Sequence, residues 1–127
     1  MLTMSASESR VQSLVRLEGP RFDAKLWRNN VGVLTDADGR PVRYGLANDS
    51  RELNKVLKSS DLIGWRTIII TPDMVGLRIA RFVARECKPE GWRFTGTDRE
   101  VAQQAWIDLV NADGGDAAFA TGEGTFK

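Results

Sequence analysis

Histidine is absent from this 127-residue chain, and cysteine occurs once. Without histidine there is no Ser-His-Asp or Cys-His machinery within the chain and no His-ligated zinc. A single cysteine excludes an intramolecular disulfide and a zinc centre built on thiolates, and it suits a reducing compartment. No apolar run approaches the length that spans a bilayer. The first ten residues, MLTMSASESR, lack the apolar core of a signal peptide. The expected location is therefore the cytoplasm, with no membrane contact. A net charge of +1, from 18 Lys+Arg against 17 Asp+Glu, carries no global basic signature of nucleic-acid binding. Internal repeats and low-complexity linkers are missing. Gly122-Glu123-Gly124 is not a phosphate-binding loop, since no Gly-Lys-Ser/Thr opens a helix. Chemistry must come from carboxylates, Lys, Arg, Tyr, hydroxyls, or a metal held by oxygen.

What is present describes an ordinary globular chain, 42% apolar and 28% charged, of one domain's length. We expect a single domain over 1–127, with its body at about 8–120 and a frayed tail at 121–127. Val11, Leu14, Val15 and Leu17 form a near-helical stripe that Ser5 or Ser7 can cap and Gly19-Pro20 ends. Leu26 to Tyr44 reads as a hairpin around the turn residues 36–40. Asn48 to Lys58 reads as a short helix capped by Asp49 or Ser50. The β-branched run from Asp61 to Thr71 predicts a strand. Pro72-Asp73 predicts a turn, and Leu77 to Lys88 a long strand. Asp98 to Asn111 is an amphipathic helix with Val101, Ala105, Trp106, Leu109 and Val110 inward. Its start carries a capping box of Thr97 and Glu100, and Gly114-Gly115 stops it. Ala117 to Ala120 is a final strand. The class is α/β, a central mixed sheet covered by helices.

Asp61, Glu86 and Lys88 are the positions with chemical promise. Side chains alternate along a strand, so Glu86 and Lys88 share a face and Cys87 takes the other. If Asp61 opens the neighbouring strand, two carboxylates converge. They repel unless a cation lies between them, and Mg²⁺ or Mn²⁺ suits two carboxylates, a carbonyl and waters. The competing reading of Glu86-x-Lys88 is a solvated salt-bridging pair. Arg28, Arg40, Arg43, Arg51, Lys55 and Lys58 all precede Asp61. They form either a phosphate-binding patch or a solvated surface. Asn29-Asn30 contacts phosphate or shapes a turn. Trp106 reads as core, Trp92 as loop packing rather than a base-stacking platform, Tyr44 as core or sheet, and the Cys87 thiol as structural.

Several strings resemble the VRR-NUC family, a branch of the PD-(D/E)XK nuclease superfamily with small stand-alone phage members. They are Ser59-Ser60-Asp61-Leu62-Ile63-Gly64, Phe82-Val83-Ala84-Arg85-Glu86-Cys87-Lys88, Gln103-Gln104-Ala105-Trp106 and Gly114-Gly115. Glu8 and Gln12, Arg28-Asn29-Asn30-Val31-Gly32, and Gly39 through Leu46 extend the likeness over about 8–120. The resemblance implies a restriction-endonuclease-like core and a metal-dependent endonuclease hydrolysing DNA, branched or duplex. It implies a homodimer and a preference for Holliday junctions, inside a bacterial host if the chain is phage-encoded. It makes Asp61 and Glu86 metal ligands, the Cys87 backbone carbonyl a further ligand, and Lys88 the motif lysine. Glu8 would face the metal directly or through water, and Gln103 would touch the site or the DNA backbone. Arg28, Asn30, Arg40, Arg43, Lys58, Ser59 and Ser60 would contact DNA. The chain departs from the family in having Ser60-Asp61 where Pro-Asp is usual, so Asp73 of Pro72-Asp73 competes with Asp61 as ligand. Ala47 to Lys58 is longer than in the shortest members, leaving room for a lid or dimer contact, and the loop Pro89 to Thr97 is also somewhat expanded. The alternative function is a non-catalytic DNA-binding protein with a degenerate nuclease fold.

Overall fold

The computed structural model describes residues 7–126. The chain is mixed α/β and divides into two compact units, Met1–Ile68 and Ile69–Lys127. Strand pairing among the described residues gives three two-stranded sheets. None of the described helices is long and apolar enough to cross a membrane.

The first unit opens with helix α1, Glu8–Glu18. Ser7 caps it by accepting a hydrogen bond from the Arg10 N–H at 3.2 Å; the other expected cap, Ser5, lies outside the described residues. Glu8 in the first turn and Arg16 in the last suit the helix dipole. The α1 stripe of Val11, Leu14, Val15 and Leu17 forms on the helix as expected and is exposed. Strand β1, Ala24–Arg28, pairs antiparallel with β4, Leu62–Arg66, with Leu26 opposite Gly64. Gly64 is required there: a Cβ would stand 1.7 Å from the Lys25 carbonyl oxygen. Strands β2, Gly32–Thr35, and β3, Pro41–Tyr44, form the expected hairpin. Its turn is held by Asp36, whose Oδ1 accepts from the backbone N–H groups of Asp38 and Arg40 at 2.9 and 2.8 Å. Leu26 to Arg28, read as part of that hairpin, belongs to β1, because its ladder partner lies more than thirty residues downstream. Helix α2, Arg51–Val56, follows with Ser50 as its cap.

In the second unit, β5, Val83–Cys87, and β6, Asp116–Ala120, run parallel. A parallel pair needs a crossover, supplied by helix α3, Asp98–Ala112. The capping box of Thr97 and Glu100 is in place. Ile107, Val110 and Ala117 are the buried apolar residues of this unit. The face of α3 turned inward passes through Glu100, Gln103, Ile107 and Val110, at steps of three and four. Val101, expected inward, is 54% exposed. Glu100 can take a buried place because its carboxylate is fully hydrogen-bonded, which apolar periodicity does not register.

Both long strands of the sequence reading are shorter than expected. The ladder after Asp61 stops at Arg66, and Ile68, Ile69 and Ile70 are exposed; the strand expected from Leu77 begins only at Val83. β-branched content marks a residue that fits a pleated surface, and becomes strand only where a partner ladder exists. Pro72–Met74 is a single helical turn, as the turn reading expected. The Arg85 guanidinium stands 4.5 Å over the Phe126 ring, and the Thr125 hydroxyl accepts from the Thr121 and Gly122 N–H groups.

Candidate functional site

Asp61 lies in the first unit, and its neighbourhood is built by Asn29. That buried side chain donates from Nδ2 to the Ser59 hydroxyl at 2.7 Å and to the Ser60 carbonyl at 2.8 Å. Its Oδ1 accepts from the Leu46 N–H at 3.1 Å, and its own N–H donates to the Asp61 carbonyl at 2.8 Å. The Ser59 hydroxyl in turn donates to the Leu46 carbonyl at 2.6 Å. One asparagine thus fastens the end of β1, the loop after β3 and the run into β4. Asp61 itself is exposed and lines a polar cleft of about 470 Å³ with Gln12, Asn29, Asn30, Val31, Tyr44 and Ser59. Tyr44, read as core or sheet, is a strand residue with its side chain 40% exposed at this cleft. Glu8 is exposed at the first position of α1, one turn before Gln12.

The polar residues assigned to DNA divide by what already occupies them. The Ser59 hydroxyl is engaged as above, and the Ser60 hydroxyl donates to the Leu62 carbonyl at 2.8 Å. Arg43 donates from Nε to the Asn48 carbonyl at 2.9 Å and from Nη2 to Asn48 Oδ1 at 2.7 Å. Asn48, 3% exposed, donates onward to the Gly32 and Tyr44 carbonyls, so Arg43 helps fix the hairpin. Lys58 reaches Asn54 Oδ1 at 2.6 Å, and Arg43 and Lys58 line one cleft of about 290 Å³. The exposed residues Arg28, Asn30 and Arg40 have solvent-facing side chains. The competitor Asp73 is exposed in its turn and accepts from the Thr71 hydroxyl.

Glu86, Lys88 and Gln103 lie in the second unit. Glu86, half-buried on β5, accepts at Oε1 from Gln103 Nε2 of α3 at 2.8 Å. The neighbouring Gln104 instead donates to Asp108 on the exposed side of the helix. The Gln103 Oε1 atom is buried without a hydrogen-bond partner among the described residues. Lys88 does not pair with Glu86; its ammonium stands 5.4 Å over the Trp92 ring. The salt-bridge reading of Glu86-x-Lys88 is thereby replaced by two separate contacts, an amide on the carboxylate and an aromatic face on the amine. The Cys87 thiol is free and exposed rather than packed.

Trp92 is itself anchored. Its ring lies 4.7 Å from that of Phe119, and its Nε1 donates to Glu100 Oε2 at 2.9 Å. Glu100 Oε1 also accepts from the Thr95 N–H, the Thr95 hydroxyl and the Thr97 N–H at 3.0 to 3.1 Å. The Thr97 N–H first, then those of Thr95 and Trp92, hold the Glu100 carboxyl down at about 2 against the desolvation that opposes them. The capping box was legible in the sequence, whereas the Thr95 and Trp92 donors were not, since loop curvature brings them in. A carboxyl whose folded value is depressed stabilises above its unfolded value of 4.5, and this contribution is lost as pH falls toward 2. Chemical denaturation between pH 6 and about 2.5 is therefore expected to show a steeper acid loss in wild type than in Glu100→Gln. Parallel profiles would remove Glu100 from this role.

Each cleft offers one carboxylate, Asp61 in one unit and Glu86 in the other. Among the described residues, no group of three or more His, Cys, Asp or Glu is placed to hold a metal ion. The donors fit a hard cation in kind, carboxylate and carbonyl oxygen, and the buried Gln103 Oε1 could accept from a bound water. In number, neither unit by itself completes such a site. No family model matches the chain, and no curated protein or solved structure does.

Proposed function

We propose that the chain is a Mg²⁺- or Mn²⁺-dependent endonuclease that hydrolyses phosphodiester bonds in DNA. It acts in the cytoplasm as a homodimer, with branched DNA such as a Holliday junction as preferred substrate. The observation that carries this reading is the Glu86–Gln103 hydrogen bond. It ties a half-buried carboxylate to the late helix, two residues before a lysine, in the order the VRR-NUC resemblance expects. In this reading the fold is a restriction-endonuclease-like core, a central mixed sheet flanked by helices.

Asp61 and Glu86 supply carboxylate oxygens, with the Cys87 carbonyl as a further ligand and Glu8 in direct or water-mediated contact. When bound, the ion polarises the phosphate and lowers the pKa of the attacking water. Gln103 holds the Glu86 carboxylate in one orientation. Lys88 leaves its place over Trp92 to meet charge developing on the phosphate. Arg28, Asn30, Arg40 and Lys58 line the DNA path in the first unit, while Arg43, Ser59 and Ser60 hold the backbone beside it through Asn48, Leu46 and Leu62. Two copies related by a twofold axis give a small chain the two sites that cutting both strands of a junction requires.

The test is cleavage of a four-way junction, a splayed arm, a flap and a linear duplex with Mg²⁺ and with Mn²⁺. Metal-dependent cutting, strongest on the junction, is expected. No cutting of any substrate by folded protein would reject the enzyme. A non-catalytic DNA-binding protein is the second reading, favoured by the single carboxylate at each cleft. Titration of Mn²⁺ into the protein separates the two, because a decayed site does not take up the ion.

A further inference from the structure

Helix α3 carries a cation where helix electrostatics disfavours one. Arg99 occupies the first turn, near the positive end of the helix dipole, between Asp98 and Glu100. The Glu100 carboxylate is spent on Trp92, Thr95 and Thr97. Arg99 is exposed and has no hydrogen-bond or ion-pair partner among the described residues. Its side chain does have a setting. Arg99, Ala102, Gln103 and Trp106 fall at i, i+3, i+4 and i+7, one face of the helix. With Glu86 they line a cleft of about 320 Å³. The cleft combines a guanidinium, a small apolar wall, an aromatic ring and the Glu86–Gln103 pair.

We propose that this cleft is a nucleotide subsite, which seats the DNA residue adjoining the phosphate to be cut. Arg99 takes the flanking phosphate, and Ala102 and Trp106 take the sugar and one face of the base. The assignment rests on the nuclease reading for its position next to Glu86, and on the cleft itself for its chemistry. An aromatic wall beside a cation accepts any base, because every base has a π face and every link a phosphate. The subsite therefore contributes affinity without sequence preference.

The test uses a fluorescein-labelled thymidine 12-mer and the full chain, with Ca²⁺ in place of Mg²⁺ so that no cutting intervenes. Arg99→Glu is expected to weaken binding about tenfold and to lower the salt slope by about one phosphate's share, near 0.7 for a single strand. Arg99→Lys keeps the charge and recovers most of the affinity. Trp106→Leu removes the ring, and because it also risks folding, the indole N–H resonance of Trp106 in otherwise wild-type protein is followed as well. It shifts on adding the strand, and the shift is lost in Arg99→Glu. Equal affinity and equal salt slope for wild type and Arg99→Glu, with the Trp106 resonance unmoved, overturn the subsite whether or not the protein cuts DNA. Weakened binding by Arg99→Glu in a wild type that never cuts keeps the subsite and rejects the nuclease.

Discussion

Glu86→Ala, purified as folded protein, is expected to lower Mg²⁺-dependent cleavage by about three orders of magnitude or more, with DNA binding still measurable. The size follows from what the carboxylate is asked to do. It is half-buried, held in one orientation by Gln103, and with Asp61 one of the two carboxylates proposed to bind the ion directly in either mode of Glu8 contact. Glu86 is the one carboxylate among the described residues that line its cleft. Lys88→Ala is expected to act in the same direction, because removing one positioned donor to a developing charge costs about two to three orders of magnitude. Asp61→Asn should be dead and Asp73→Asn alive. Unchanged cutting by both Glu86→Ala and Lys88→Ala would eliminate the proposed site, and the reverse result at 61 and 73 would move it to the Pro72–Met74 turn.

The largest expected loss of stability comes from a residue with no side chain. In Gly64→Ala the new methyl group would stand 1.7 Å from the Lys25 carbonyl oxygen, well inside contact distance, and the obstacle is backbone. A long side chain could swing aside, whereas a carbonyl inside the β1–β4 ladder moves only if the pairing opens. Thermal unfolding should register a loss of about 3 kcal/mol, a fall of about 10 °C or more for a domain of this size. The same pairing aligns Trp27 with Ile63 and carries the Asn29 fastening next to Asp61, so cleavage should fall with it. A melting temperature within about 2 °C of wild type would mean that β1 and β4 pair in another register.

Much of the local structure could be read from the chain. Thr97 and Glu100 announced the start of α3, the pairs Ser5/Ser7 and Asp49/Ser50 bracketed the starts of α1 and α2, and Asp36 through Arg40 marked the hairpin turn. Each rests on hydrogen bonds between residues two to four apart, so a short string contains both partners. The candidate site was legible only by likeness. Composition left carboxylates and lysine as the available groups, but the Glu86–Gln103 contact joins residues 17 apart across β5 and α3.

Strand ends, spent side chains and buried faces lay beyond that range. Ile68 to Ile70 have strand-forming side chains and no ladder, and Leu26 to Arg28 found theirs in β4 rather than in the nearer hairpin. Ser59 and Arg43 looked available to phosphate, yet Asn29, Leu46 and Asn48 occupy them. Sequence by itself determined which chemistries are closed to this protein, where its helices begin and where its hairpin turns, because composition and short-range hydrogen bonds need no distant partner. Tertiary structure alone decided that the inward face of α3 runs through Glu100, that Lys88 stands over an aromatic ring, and that one asparagine fastens the approach to Asp61. Those outcomes depend on which polar group meets its complement across the fold, and burial is favourable only for the groups that do.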